Sequence, residues 1–572
     1  MTGPIPSFAL DQYAATSCPV KTQNTFNPRF PHPEVVDAHL VERFREMSQH
    51  RTIVVRYLLH HHHDSIADLS GIDDSRERMK ASVDAMSEGI PIILAAQLPT
   101  DWVHHRQGTV DVLFRSTDDD LPRYHPAVIK DRCVLSSAPP GEKKQLTATL
   151  AHPFLHQARM SNSRYRVESQ SDSLLHLAHL WHLLGFTGFA TEEPWGAVIG
   201  ADHEDKALGC DIAWIDLNDK LMRAFSYTSA RQWRKYSPLS RFQHEHRFRV
   251  RVASHALLND RNDAPELVAS PVHVSECDMC EWWPQCQSVL TDDISVKIER
   301  SPLDAREIMT LRSLGISTIT DLTNTDIETL LPEYLPRVAH RFGAENRLRL
   351  AARRGRLLGS GKKYERLTTG SIRLPSAPME IDMDIETSAG NHVYLWGFLV
   401  HDRSLGDQEP VYHAIHRFSS LSTSKELELA EEAATWLMDL VTAHEDTPVL
   451  VWHYSNYELS ALRRFARAKP DSTALAWLNA FAYEHFIDIF PTVKDNFFGI
   501  DGLGLKAIAS AGAGFSWRDP DPSGLNSQYW FSDAVHAPTI DLRAAARTRI
   551  LEYNEDDVRA TWALRQWIRS LT

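Results

Sequence analysis

The stretch from Glu380 to Gly397, EIDMDIETSAGNHVYLWG, constrains the fold more than any other part of the chain. Ile381, Met383 and Ile385 alternate with Asp382, Asp384 and Glu386, the period-two pattern of a β-strand with one face inward. Spacing of two places the Asp384 and Glu386 carboxylates on the same side of that strand. Their mutual repulsion is costly unless a cation is bound between them, and hard divalent ions such as Mg²⁺ favour such an all-oxygen setting. An acidic stripe on a solvent-facing edge strand has the same pattern, so the remainder of the chain has to decide.

At 572 residues the chain exceeds what one core supports, and its length suggests three or four units. Hydrophobic content of 43% and charged content of 24% are those of a globular protein. No apolar run approaches the roughly 20 residues that span a bilayer, and MTGPIPSFALDQY lacks a basic region followed by an apolar core. A cytoplasmic protein without a membrane partner is therefore expected. The net charge of −14 argues against nucleic acid as a partner, but charge distribution matters more than the sum.

The N-terminal region extends to about residue 290. Helical periodicity covers Val36 to His50 and Asp74 to Gly89, followed by the apolar strand IPIILAAQL. GTVDVLFRS then places Asp111 inside a strand, and YHPAVIKDRCVL reads as its partner strand carrying Lys130. An Asp on one strand and an acid-x-Lys on the next is the pattern of the PD-(D/E)XK nucleases, in which carboxylates hold the metal and the lysine supports the attacking water. Val128 stands where that pattern has its second acid, and His125 or Asp131 are the neighbouring substitutes. SLLHLAHLWHLLGF reads as an amphipathic helix with His176, His179 and His182 on its polar face, and AVIGADHEDKALGCDIAWIDL as a hairpin turning around residues 205–209. Cys133 and Cys210 read as ordinary buried residues.

This region closes on CDMCEWWPQC, where Cys277, Cys280 and Cys286 are spaced C-x2-C-x5-C. Thiolates this close call for a metal, and four sulfur ligands suit iron–sulfur or zinc. The fourth ligand must come from elsewhere, and Cys18 is the choice. With that assignment the region resembles the RecB-like nuclease domains, including those of the CRISPR adaptation nucleases, in which one cysteine precedes the nuclease fold and three follow it. The resemblance implies a four-iron four-sulfur cluster tying the two ends of the domain together.

A connector is expected over residues 291–374. LRSLGISTITDLTNTDIETL reads as helix, Gly-Ile turn and second helix, as in helix-hairpin-helix-like modules. Arg337 to Arg373 then carries eleven Lys or Arg, including Arg353, Arg354, Arg356, Lys362 and Lys363, against two acids, Glu345 and Glu365. That composition suits a face that binds nucleic-acid phosphates, although a solvated helix also produces it. RFQHEHRFRVRV is a second, weaker basic stretch.

Residues 375–572 hold the opening strand and its partners. TPVLVWHYSNYELSALRRF reads as a strand running into a helix, with Glu458 near the strand's carboxyl end, where sites in α/β sheets form. HFIDIFPTV offers Asp488, GLGLKAIA opens a short helix, and LEYNEDDVRATWALRQWI is a helix holding Tyr553, Asp557, Thr561 and Leu564 inward. This set resembles the DEDD exonucleases of the RNase H-like superfamily, specifically the YprB-type domain found fused to RecB-like nuclease domains. The first motif, Asp-x-Glu, matches Asp384 and Glu386, and the last, Tyr-x3-Asp, matches Tyr553 and Asp557. Glu458 replaces the Asp of the second motif, Asp488 matches a later Asp, and the resemblance assigns no role to Asp382, which is expected at the site's periphery.

The expected protein is thus α/β and multidomain: a PD-(D/E)XK-like domain over 1–290, a basic helical connector, and an RNase H-like domain with a mixed central sheet over 375–572. The resemblance implies a nuclease dependent on Mg²⁺ or Mn²⁺, a 3′–5′ exonuclease on DNA or RNA, with metal held by Asp384, Glu386, Glu458 and Asp557 and water positioned by Tyr553. Asp488, Asp111 and Lys130 are additional candidates, and the N-terminal region is read as a degenerate nuclease module kept for nucleic-acid binding. A reading of a different class is a non-catalytic nucleic-acid-binding scaffold of a DNA repair complex with a structural iron–sulfur or zinc site.

Overall fold

The computed structural model describes residues 6–33, 38–117, 121–139, 141, 144–201, 212–226, 232–259, 266–298, 303–406, 408–522 and 524–572. Cys210 and the turn expected at 205–209 lie outside them. The chain divides into two compact units, Met1–Thr291 with Ala339–Phe342, and Asp292–Val338 with Gly343–Thr572. Within the region expected to be a connector, helices Ala305–Ser313, Ile319–Asn324, Ile327–Arg337 and Ala344–Gly359 fall in the second unit.

Among the described residues of the first unit, eight strands form one mixed sheet in the spatial order Ile66–Asp68, Ile92–Asp101, Arg106–Arg115, Tyr124–Ile129, Trp195–Ile199, Ile212–Asp216, Gln145–Ala148 and Arg159–Ser161. The first two strands pair in parallel, as do Tyr124–Ile129 and Trp195–Ile199, and the other neighbours are antiparallel. Helix Ser171–Thr187 packs on both this sheet and helix Pro238–Ala256, and ends at left-handed Gly188 (φ 83°), a conformation glycine adopts without a Cβ penalty. Coverage from both sides buries His176 and His179, which therefore do not lie on a polar face. His179 Nε2 lies 3.0 Å from the Gln107 carbonyl, and burial pulls both imidazoles below the ordinary histidine range, His176 to about 3.

In the second unit, the sheet that carries the opening motif has the order Val411–His416, Val393–Asp402, Met379–Thr387, Val449–His453, Phe486–Asp488. The first three strands are an antiparallel meander and the last two run parallel to Met379–Thr387 through helical crossovers. Ile381, Met383 and Ile385 pack with Trp396, Phe398, Leu429, Leu462 and Phe465 on one face. Each such fully buried side chain contributes roughly 1.5–3 kcal/mol.

The opposite face, Glu380, Asp382, Asp384 and Glu386, is covered by the C-terminal helix Ile540–Ser570. Asp382 is consequently fully buried rather than peripheral. Its carboxylate takes both Nε (2.8 Å) and Nη2 (2.5 Å) of Arg565, while Arg565 Nη1 reaches Glu380 at 2.7 Å and Arg569 Nη2 reaches the same acid at 2.6 Å. One acidic strand thus does two jobs. Its first half is neutralised by arginines and anchors the helix; its second half faces no arginine partner among the described residues.

Candidate active site

That second half carries the candidate site. Asp384, Glu386 and, from the C-terminal helix, Asp557 each offer a carboxylate oxygen, and all three oxygens lie within 4.8 Å of one another. Glu386 and Asp557 are buried, and Asp384 keeps a solvent-accessible edge. Burial first, then the neighbouring carboxylates Glu386, Asp557 and Glu458, raises Asp384 well above the usual carboxylate range. Burial and the Asp557 charge push Glu386 up to about 8, and burial raises Asp557 as well. Such a donor set favours a divalent cation, whose charge removes the penalty of holding three carboxylates together.

Each acid is oriented by a neighbour that spacing did not reveal. Asn554 Nδ2 donates to Asp384 Oδ2 (2.8 Å), and its own Oδ1 accepts from Tyr412 Oη (2.8 Å). Ser527 Oγ donates to Glu386 Oε2 (2.7 Å), and Trp517 Nε1 to Asp557 Oδ1 (2.7 Å). Asp384 pairs across the hairpin with Gly397, and there a Cβ would meet Asn554 Oδ1 at 1.7 Å, so the glycine makes the space that the asparagine occupies. Asn554 lies three residues before Asp557 on one helix, a signal available in the sequence; Lys506, Trp517 and Ser527 had none.

Lys506 is the fixed cation of the site. Its Nζ donates to Tyr553 Oη (2.7 Å), lies 3.4 Å from both oxygens of Asp557 and sits 4.7 Å from the centre of the Tyr553 ring. Burial and the Asp557, Glu386 and Asp384 charges raise the phenol above its ordinary value, so Tyr553 stays protonated.

Glu458 comes from the first turn of helix Tyr457–Ala468, immediately after strand Val449–His453. The connecting turn is strained: Ser455 has φ 89°, and its amide donates to Asp488 Oδ1 (2.9 Å), which also accepts from Phe490 N (2.9 Å). Asp488 thereby shapes the loop that presents Glu458. The Glu458 carboxylate is buried, and its Oε2 lies 3.3 Å from His453 Nδ1, a nitrogen committed to the Ser455 carbonyl at 2.7 Å. Among the described residues Glu458 Oε2 has no hydrogen-bond partner, and burial raises its pKa. A buried, unpaired carboxylate oxygen near a three-carboxylate cluster fits a site built to take more positive charge.

The other sequence candidates are placed elsewhere. In the first unit, Asp111 pairs with Arg51 (2.7 Å) and accepts from Ile129 N (2.8 Å), whereas Lys130 donates to Asp172 (3.0 Å). Each is held by partners other than the acid-x-Lys pattern supplies, and Val128 is buried in the core. Cys18, Cys277, Cys280 and Cys286 line one small pocket with Trp282 and Trp283. The N-terminal segment is fastened there by the Cys18 amide on Glu276 (3.1 Å) and by Lys21 on Glu281 (2.9 Å). Cys133 is half-buried, its thiol 3.8 Å from the Ala201 carbonyl. Arg353 pairs with Glu365 and stacks over Phe498, Arg354 is half-buried, and Arg356, Lys362 and Lys363 are exposed.

A mixed five-stranded sheet with acids on its central strand, joined by an acid from a covering helix, thus assembles an all-oxygen donor set that could hold a divalent metal ion. Residues 382–569 match the model of the RNase_H_2 family of the RNase H superfamily, which supports an RNase H-like domain in this part of the chain and suggests nuclease-type activity on nucleic acid. No curated protein and no solved structure matches the chain. Among the described residues no helix is long and apolar enough to cross a membrane.

Proposed function

We propose that the protein is a 3′–5′ exonuclease of the DEDD type, in which Asp384, Glu386, Asp557 and Glu458 hold Mg²⁺ or Mn²⁺ and Tyr553 orients the attacking water. The observation that carries this reading is the convergence of three carboxylate oxygens within 4.8 Å of one another beside the Tyr553–Lys506 hydrogen bond. Two divalent cations bound there would stabilise the attacking and leaving oxygens of an in-line displacement. The residues divide the remaining work. Asn554, Ser527 and Trp517 fix the carboxylates through one hydrogen bond each, so little reorganisation is needed when substrate arrives. Tyr553, kept protonated, donates or accepts at a water without losing its own proton, and Lys506 holds its oxygen in place. The exposed Arg356, Lys362 and Lys363 supply phosphate contacts in the same unit.

The cysteine pocket supports a structural cluster. Burial, then the neighbouring thiolates, raises Cys286 to about 11, a cost that coordinated iron or zinc removes. Four thiols lining one pocket suit a four-iron four-sulfur cluster or a zinc ion, and the resemblance to RecB-like nuclease domains favours the former.

The test is degradation of 5′-labelled and 3′-labelled single-stranded DNA and RNA with Mg²⁺ or Mn²⁺, wild type beside Asp384→Asn. A shortening ladder from the 5′-labelled strand, reduced roughly 10³-fold or more in the variant, is expected. Inactivity of the wild type, or equal activity of the variant, overturns the assignment.

A further inference from the structure

In the first unit a two-stranded antiparallel ribbon, Met222–Phe225 with Trp233–Tyr236, stands apart from the large sheet. Met222 turns into the core, which sends Arg223, Phe225, Trp233 and Lys235 to the other face. On that face Arg223 and Lys235 are directly opposed across the ribbon. Like charges in that position destabilise a strand pair, and neither cation has a carboxylate partner among the described residues. The Arg223 guanidinium lies 5.4 Å from the Trp233 ring, which meets Phe225 edge-on at 5.6 Å and stays 42% exposed. From residue 220 to 236 the sequence holds five Lys or Arg and no acid, within a protein of net charge −14.

Arg223 and Lys235 also line a cleft of about 500 Å³ whose other walls include Lys144, Arg164, Tyr165 and Trp195. Three acids, Glu168, Asp216 and Asp219, share the lining, and Asp216 Oδ1 is taken by the Asn218 amide at 2.8 Å. Opposed cations without a carboxylate partner among the described residues ask for an anion, and the exposed Trp233 indole beside them offers a surface on which a base stacks. We propose that this ribbon and cleft bind single-stranded nucleic acid, with Arg223 and Lys235 on phosphates and Trp233 under a base. The proposal rests on the reading that the protein acts on nucleic acid, and it gives the first unit a binding site of its own, separate from the Asp111 and Lys130 positions.

The experiment is fluorescence anisotropy of a labelled oligothymidylate of about 16 nucleotides with the full-length protein, in EDTA, over a range of salt. Arg223→Glu with Lys235→Glu should weaken binding about tenfold or more and make the salt dependence shallower by about 1.4, the share of two phosphates on a single strand. Trp233→Ala should weaken binding roughly fivefold or more with the salt slope unchanged. Arg76→Glu with Lys80→Glu, exposed on helix Ser75–Ser87, makes the same change in net charge and should leave affinity within twofold. Arg223→Gln with Lys235→Gln and a thermal melt guard against loss of fold. Equal binding by the ribbon and control variants overturns the proposal, as does displacement of the oligonucleotide by polyglutamate as readily as by unlabelled oligothymidylate. Because binding is read without metal, its failure is distinguishable from a failure of the nuclease assignment, which the degradation assay reads alone.

Discussion

At the scale of single residues the three clustered carboxylates carry an electrostatic cost that a bound cation would relieve, and this has a sign. Burial and the Asp557 charge raise Glu386 from the ordinary 4.5 to about 8 in the folded protein. A carboxyl raised in this way stabilises the fold fully below its unfolded value and loses that contribution as pH climbs towards 8. Divalent cations bind only the ionised form, so their stabilisation must grow over the same window. The increase in melting temperature on adding Mn²⁺ is therefore expected to be larger at pH 8 than at pH 6, and scanning calorimetry at the two pH values checks it. An equal increase at both would mean that Glu386 is already ionised at pH 6. Asp384, Glu386, Tyr553 and Asp557 were legible because spacings of two and four residues are local signals of strand and helix faces. Lys506 is 51 residues from Asp557 and Ser527 141 from Glu386, and contacts of that range leave no period in the sequence.

At the scale of elements the C-terminal helix carries the argument, since it brings Asp557 to the sheet and is itself held by Arg565. Both Arg565 and its two acids are fully buried, and burial of Glu380 is outweighed by Arg569 and Arg565, which hold it near 2. Truncating one member leaves charges without partners in the interior. Arg565→Met is expected to cost about 3–5 kcal/mol in urea unfolding, whereas Arg565→Met with Glu380→Leu and Asp382→Leu should recover much of that loss. A single variant within about 1 kcal/mol of wild type would show that water reaches these acids. The alternating pattern announced the strand but could not say which acids face arginine and which face metal. That distinction depends on where a 31-residue helix lies across the sheet, and only its second half was read from the sequence.

At the scale of the whole molecule, the cysteine pocket joins segments far apart in the first unit: the Cys18 amide meets Glu276 across 258 residues. Closing so long a stretch of chain confines the unfolded state, so a cluster bound by all four thiols should contribute to the first unit far more than to the second. Two units with separate cores are expected to unfold in two calorimetric transitions. Purified without oxygen, the wild type should contain about four irons per chain and absorb near roughly 400 nm. Cys18→Ser should bleach that absorbance and lower one transition by several degrees while the other, and nuclease activity of the RNase H-like domain, hold steady. Cys133→Ser, at a half-buried thiol outside the pocket, should change neither colour nor melting. One zinc per chain with no visible absorbance would replace the iron cluster by a mononuclear site drawn together on binding, and a Cys18→Ser protein as coloured and as stable as the wild type would remove Cys18 from the ligand set altogether.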